Sequence, residues 1–142
     1  MLNRKIVVSS ILLMLLISSA CKKTVNNIKQ DLLVNLITGN NWIVVRYLDG
    51  VSNVTGEYSP YEFDFSKDGT VNAVNNGIVE ATGTWVGSEE SESITSNFPG
   101  ASLPISRLTG VWIVTNTKSK PWRVYSHRFE GAKELVLDLQ EK

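Results

Sequence analysis

A chain of 142 residues has room for one domain and not for two hydrophobic cores. A composition 42% hydrophobic and 20% charged excludes disorder along the whole length, and 14 basic against 14 acidic side chains leave no net basic face for nucleic acid. A single cysteine and a single histidine exclude an intramolecular disulfide and a His-rich metal site, so the core alone must hold the fold.

The chain opens with secretory logic. Arg4 and Lys5 form a positive leader, and Ile6 to Ile17 is apolar except for Ser9 and Ser10. At 1.5 Å per residue that stretch spans roughly 18 Å, too short for a bilayer core of about 30 Å. Small residues follow, Ser18, Ser19 and Ala20, and then Cys21. This ending resembles the bacterial lipoprotein box. The resemblance implies cleavage before Cys21, a diacylglycerol on its sulfur, and acylation of the new amino group. An ordinary signal peptide cut near Ala20 would instead leave a free thiol with no partner. Each buried methylene adds about 0.8 kcal/mol of membrane affinity, so two or three acyl chains anchor stably. Lys22 and Lys23 follow the cysteine. Some lipoproteins of Bacteroidetes-type bacteria carry acidic residues there as a surface-export signal, so the resemblance implies an outer-membrane anchor facing the periplasm. Removing Arg4 and Lys5 with the leader leaves 12 basic and 14 acidic side chains, a net −2.

The predicted organisation is a signal peptide over 1–20, a lipidated tether over 21–27 and one domain over 28–142. Within the domain, Ile28, Leu32 and Leu36 recur every four residues with Leu33 beside them, which predicts a short helix over Ile28 to Ile37. Asn26 or Asn27 is placed to cap it, and Gly39 to end it in a left-handed conformation. So short a helix is unstable alone and must lay its Leu stripe on the rest.

From Asn41 onward short runs alternate with turn residues. The first predicted strand is Trp42 to Asp49. In the second, Tyr61 to Ser66, the rings of Tyr61, Phe63 and Phe65 share one face and Glu62 and Asp64 the other. Lys67-Asp68-Gly69 turns into Thr70 to Asn75, and Asn75-Asn76-Gly77 into Ile78 to Val86, each with Gly or Asn where a positive φ is needed. An acidic loop over Gly87 to Glu92 leads to a weak strand over Ser93 to Asn97. In the connection from Phe98 to Gly110, Leu103, Ile105 and Leu108 are expected against the core. Val111 to Asn116, Trp122 to Phe129 and Glu134 to Leu139 complete the strands. The last alternates Leu135, Leu137 and Leu139 with Glu134, Val136 and Asp138.

The fold expected is mainly β: about eight antiparallel strands in an up-and-down barrel behind one short N-terminal helix. Closure removes the exposed edges, and eight strands leave an interior that side chains fill or that holds one small ligand. An open sandwich remains an alternative if the connection before Val111 is a crossover. The stretch from Leu32 to Leu139 also resembles the small lipocalin-like domains of Bacteroidetes-type lipoproteins. The residues that carry the resemblance are Gly39-Asn40-Asn41-Trp42, Tyr61-Glu62-Phe63-Asp64-Phe65 with Asp68-Gly69, Gly83-Thr84-Trp85, and Leu108-Thr109-Gly110-Val111-Trp112.

Catalysis is not expected. Glu62 and Asp64 fall on an outward face, which would not raise a carboxyl pKa for acid catalysis. His127 has Ser126 or Asp138 as candidate partners but no nucleophile context, and no phosphate loop, dinucleotide fingerprint, metal spacing or calcium loop is present. No cofactor or metal is expected. Binding rests on the aromatics: Trp42, Tyr61, Phe63, Phe65, Trp85 and Trp112 are the candidate lining of a barrel interior for a small apolar molecule, unless they simply fill it. In the filled case the surface would dock an envelope protein or a glycan-handling partner, and Trp122 after Pro121 is the ring placed to stack on sugars. Nine acids and one base lie between Asp49 and Glu92, and six bases and one acid between Arg107 and Lys133, so an electrically two-sided surface is expected.

Overall fold

The computed structural model describes residues 33–142. The signal peptide, the tether with Cys21 and the first residues of the predicted helix lie outside the described residues. The described part of that helix, α1, covers 33–38. Gly39 does not take the left-handed conformation expected of it. The last turn is instead tied by the Thr38 hydroxyl, which donates to the Val34 carbonyl at 2.8 Å.

Nine strands follow: β1 (Asn41–Asp49), β2 (Ser52–Asn53), β3 (Tyr61–Phe65), β4 (Thr70–Asn75), β5 (Ile78–Ser88), β6 (Ser93–Asn97), β7 (Gly110–Lys118), β8 (Arg123–Glu130) and β9 (Lys133–Glu141). Neighbours in sequence are neighbours in the sheet from β3 to β9. β1 pairs briefly with β3 and along its length with β9, Trp42 opposite Glu141 and Asp49 opposite Leu135. Eight strands thus close into an antiparallel barrel, with β2 as a short extra strand on the end of β1. The connection before β7 is no crossover, because β7 returns beside β6, and the open sandwich is excluded.

Local chemistry explains the closure. At the β4–β5 turn Asn76 and Gly77 both have positive φ, 47° and 85°, the pair that a twisted two-residue hairpin needs. Register shifts occur after Val44 in β1, after Ala73 in β4 and after Val114 in β7, and such bulges increase the twist that bends a sheet round. Gly83 of β5 is buried, and a Cβ there would strike the Asn97 carbonyl and the Phe98 ring, so its bareness lets β6 and the chain after it press close.

The chain departs from expectation where tertiary packing outweighs local pattern. Two 3₁₀ turns, Thr55–Tyr58 and Ile105–Leu108, were not foreseen. Ile105 and Leu108 are buried as expected, but Leu103 is 61% exposed and takes no part in the core. Trp122 stands in the turn between β7 and β8 and not in a strand. Asp138 alternates outward as expected yet is only 6% exposed, covered by the neighbouring strands.

Candidate functional site

All six aromatic residues expected inside the barrel are buried. Their polar atoms are spent on the fold. The Trp42 indole donates to the Ile37 carbonyl at 2.8 Å, which ties α1 across one end of the barrel. The Trp85 indole donates to Ser66 and the Trp112 indole to Leu108, both at 2.9 Å, and the Tyr61 hydroxyl donates to a Glu80 carboxylate at 2.9 Å. The rings meet one another: Phe65 edge-on to Trp85 at 5.4 Å, Tyr61 stacked on Phe63 at 6.4 Å, Phe63 edge-on to Phe98 at 6.5 Å.

Little space is left between them. The interior cavity measures about 30 Å³, lined by Phe63, Phe65 and Trp112 but not by Trp42, Tyr61 or Trp85. Two serines also line it, and both hydroxyls are used, Ser96 on the Leu108 carbonyl at 2.5 Å and Ser126 on the Leu137 carbonyl at 2.7 Å. A void of that size costs somewhat under about 1 kcal/mol, whereas ligand sites run to about 300–1,000 Å³.

The end opposite α1 is plugged by two tyrosines: Tyr47, one of the rings in the sequence case for binding, and Tyr58, which sequence reasoning did not single out for a role. Tyr58, from the first 3₁₀ turn, stacks on Tyr47 of β1 at 5.2 Å. Their hydroxyls donate to the carbonyls of Pro104 and Arg107, so both turns are pinned to the barrel mouth. Burial pushes the Tyr47 hydroxyl up to about 12 and raises that of Tyr58 also. Tyr58 is an isolated Tyr in a polar loop, which no periodicity marks.

Around that mouth lies a polar cleft of about 300 Å³, holding Arg107, Arg128 and Lys133. Each cation is already paired: Arg107 with Glu57, Arg128 with Glu130 at 2.8 Å, Lys133 with Asp49 at 2.6 Å. Arg128 also donates to the carbonyls of Thr109 and Arg107 and lies 4.6 Å over the Trp112 ring. The basic and acidic stretches of the sequence therefore meet here. Glu62 pairs with Lys142 in the same way. Two of these pairs, Arg107 with Glu57 and Lys133 with Asp49, join the basic stretch to the acidic one, because closure brings the last strands against the first.

The groups weighed for catalysis are not brought together. Glu62 and Asp64 stay on the outer face of β3. His127 turns to neither Ser126 nor Asp138. Its Nδ1 lies 3.2 Å from a Glu134 carboxylate on the outer face of the barrel, while Ser126 points inward. Among the described residues no group of three or more His, Cys, Asp or Glu is placed to hold a metal ion, and no helix is long and apolar enough to cross a membrane.

Two outer features remain. Val86 of β5, Val111 and Ile113 of β7 and Phe129 of β8 are exposed apolar side chains, and Thr95 of β6 bridges the first two across the sheet. At the α1 end, a groove of about 840 Å³ runs between α1, the β5–β6 turn and the β7–β8 turn, with Trp122 in its wall.

No family model matches the sequence, and a search of curated proteins found no match. Among solved structures, the chain is similar to a DUF4847 family protein from Bacteroides vulgatus. The match covers 78% of this chain and 97% of that one, with a TM-score of 0.52 at 13% sequence identity. At that identity the likeness is one of fold: the two share the barrel.

Proposed function

We propose that this protein is a lipid-anchored, non-catalytic barrel of the cell envelope that works through its outer surface. In this reading Cys21 carries the lipid, the barrel faces the periplasm from the outer membrane, and the domain docks a partner there. The observation that carries the reading is the filled interior. A small apolar molecule inside would have to displace Phe63, Phe65 or Trp112 from a packing that leaves about 30 Å³, and core rings resist displacement because interiors are close-packed. The exposed apolar side chains of β5, β7 and β8 and the groove beside α1 are the features left for a partner to use.

Titration of the mature chain with a fluorescent fatty acid tests the reading. Only weak, unsaturable fluorescence is expected. Saturable uptake at one site per chain, abolished by a substitution that enlarges Ser126 into the cavity, would establish an interior ligand and overturn it.

A further inference from the structure

Three of the four tryptophans bury their rings and satisfy their indole N–H on a backbone carbonyl. Trp122 does neither. Its ring is 37% exposed in the wall of the groove beside α1, and its indole N–H has no hydrogen-bond partner among the described residues. Its backbone, in contrast, is held on both sides. The Trp122 N–H donates to a Glu141 carboxylate at 3.0 Å, and the Glu141 N–H donates to the Trp122 carbonyl at 2.8 Å. With its backbone held and only 37% of its surface exposed, the residue has little freedom to lose when something stacks on its ring.

Leu33, Leu36 and Val114 give the groove an apolar wall beside Trp122, while its polar side is unlike a site for an anion. Glu89 and Glu92 line it, and neither has an ion-pair partner among the described residues. Drying them against a hydrocarbon would be costly, and two unpaired carboxylates repel a phosphate or a nucleic acid. Asn35 and Asn116 add amide groups that both donate and accept. A flat apolar plane rimmed by carboxylates and amides matches a sugar ring, whose face is C–H and whose edge is hydroxyl. Each hydroxyl can donate to a carboxylate while accepting from an amide. The groove volume, about 840 Å³, lies within the range of ligand sites and would hold more than one ring.

We propose that this groove binds a neutral glycan chain, with Trp122 as the stacking plane and Glu89, Glu92 and Asn116 as the hydroxyl partners. The proposal rests on the reading of a barrel that acts through its surface and names the class of molecule it takes.

The test is calorimetric titration of the mature chain with soluble β-linked tetrasaccharides of glucose and of N-acetylglucosamine. Saturable binding of at least one is expected. Trp122→Ala should weaken it by about ten-fold or more, and Trp122→Phe should retain most of it. Trp122→Phe keeps a ring in the wall, so its thermal unfolding should match the parent; Trp122→Ala also loses packing, so its unfolding midpoint should fall but stay above the titration temperature, with one cooperative transition. Four results would overturn the proposal. Neither saccharide binds; binding is equal in Trp122→Ala; a lysine-rich peptide competes and binds more tightly; or acrylamide fails to quench Trp122 in the free chain, which would mean that the chain's own preceding segment fills the groove. None of these touches the fatty-acid titration, so the glycan site can fail while the filled barrel stands.

Discussion

Phe63 sits at the centre of the inward face of β3, 1% exposed, between Tyr61 and Phe98 and opposite Trp42 of β1. Strict alternation over Tyr61 to Phe65 made its burial readable, because a strand sends successive side chains to opposite faces. Phe63→Ala should cost about 3–5 kcal/mol in denaturant unfolding, since neighbours held by their own hydrogen bonds cannot collapse into the gap. A loss under about 1 kcal/mol would contradict that packing. Single residues outside such patterns were less legible. Leu103 is apolar yet exposed, Tyr58 is isolated yet buried, and His127 finds Glu134 because of a strand pairing that its sequence neighbours do not reveal.

At the scale of elements, the seam between β1 and β9 closes the barrel, and Asp138 is its unusual member. Its carboxylate lies 3.7 Å from the Arg46 guanidinium on β1. Burial raises its pKa above the ordinary 3.8, and the nearby Arg46 and Arg123 charges offset only part of that. A carboxyl whose folded pKa is raised binds more protons folded than unfolded, so it favours folding at low pH and loses that contribution as pH rises from 3.8 upward through the folded value. Asp49 has the opposite sign: the Lys133 hydrogen bond lowers its pKa, so its contribution fades as pH falls through the lowered value. Urea midpoints of the parent and of Asp138→Asn, compared across acidic to neutral pH, isolate the first effect. The parent should lose stability relative to the variant as pH rises through the window, and then run parallel to it. A relative gain would mean that the Arg46 pairing outweighs burial. The strands themselves were legible because turn chemistry and period-2 alternation agree at β3, β4, β5 and β9. The two 3₁₀ turns and β2 were not, since each is too short to carry a period: the turns owe their place to tyrosine hydrogen bonds made across the barrel mouth, and β2 to its pairing with the end of β1.

For the whole molecule, closure decides more than any one strand. It turns a charge pattern segregated in sequence into ion pairs in space, Arg107 with Glu57 and Lys133 with Asp49, and it packs the expected ligand-lining rings against each other. The eight-stranded plan was readable from the chain, but whether the interior is hollow depends on how rings from different strands interdigitate, which alternation alone does not fix. The candidate interior residues were placed inside and their occupancy was not foretold. The anchor is tested separately: Cys21→Ser should move the protein from the membrane fraction to the soluble fraction and block processing. Retention in membranes with normal processing would contradict the lipid on that sulfur. The central claim, a barrel filled by its own side chains, is tested most directly by native mass spectrometry of the protein purified gently from its own envelope. The account predicts the mass of the polypeptide with its covalent lipid and nothing that organic solvent removes. A reproducible added apolar mass, stripped by solvent and bound one per chain, would contradict it.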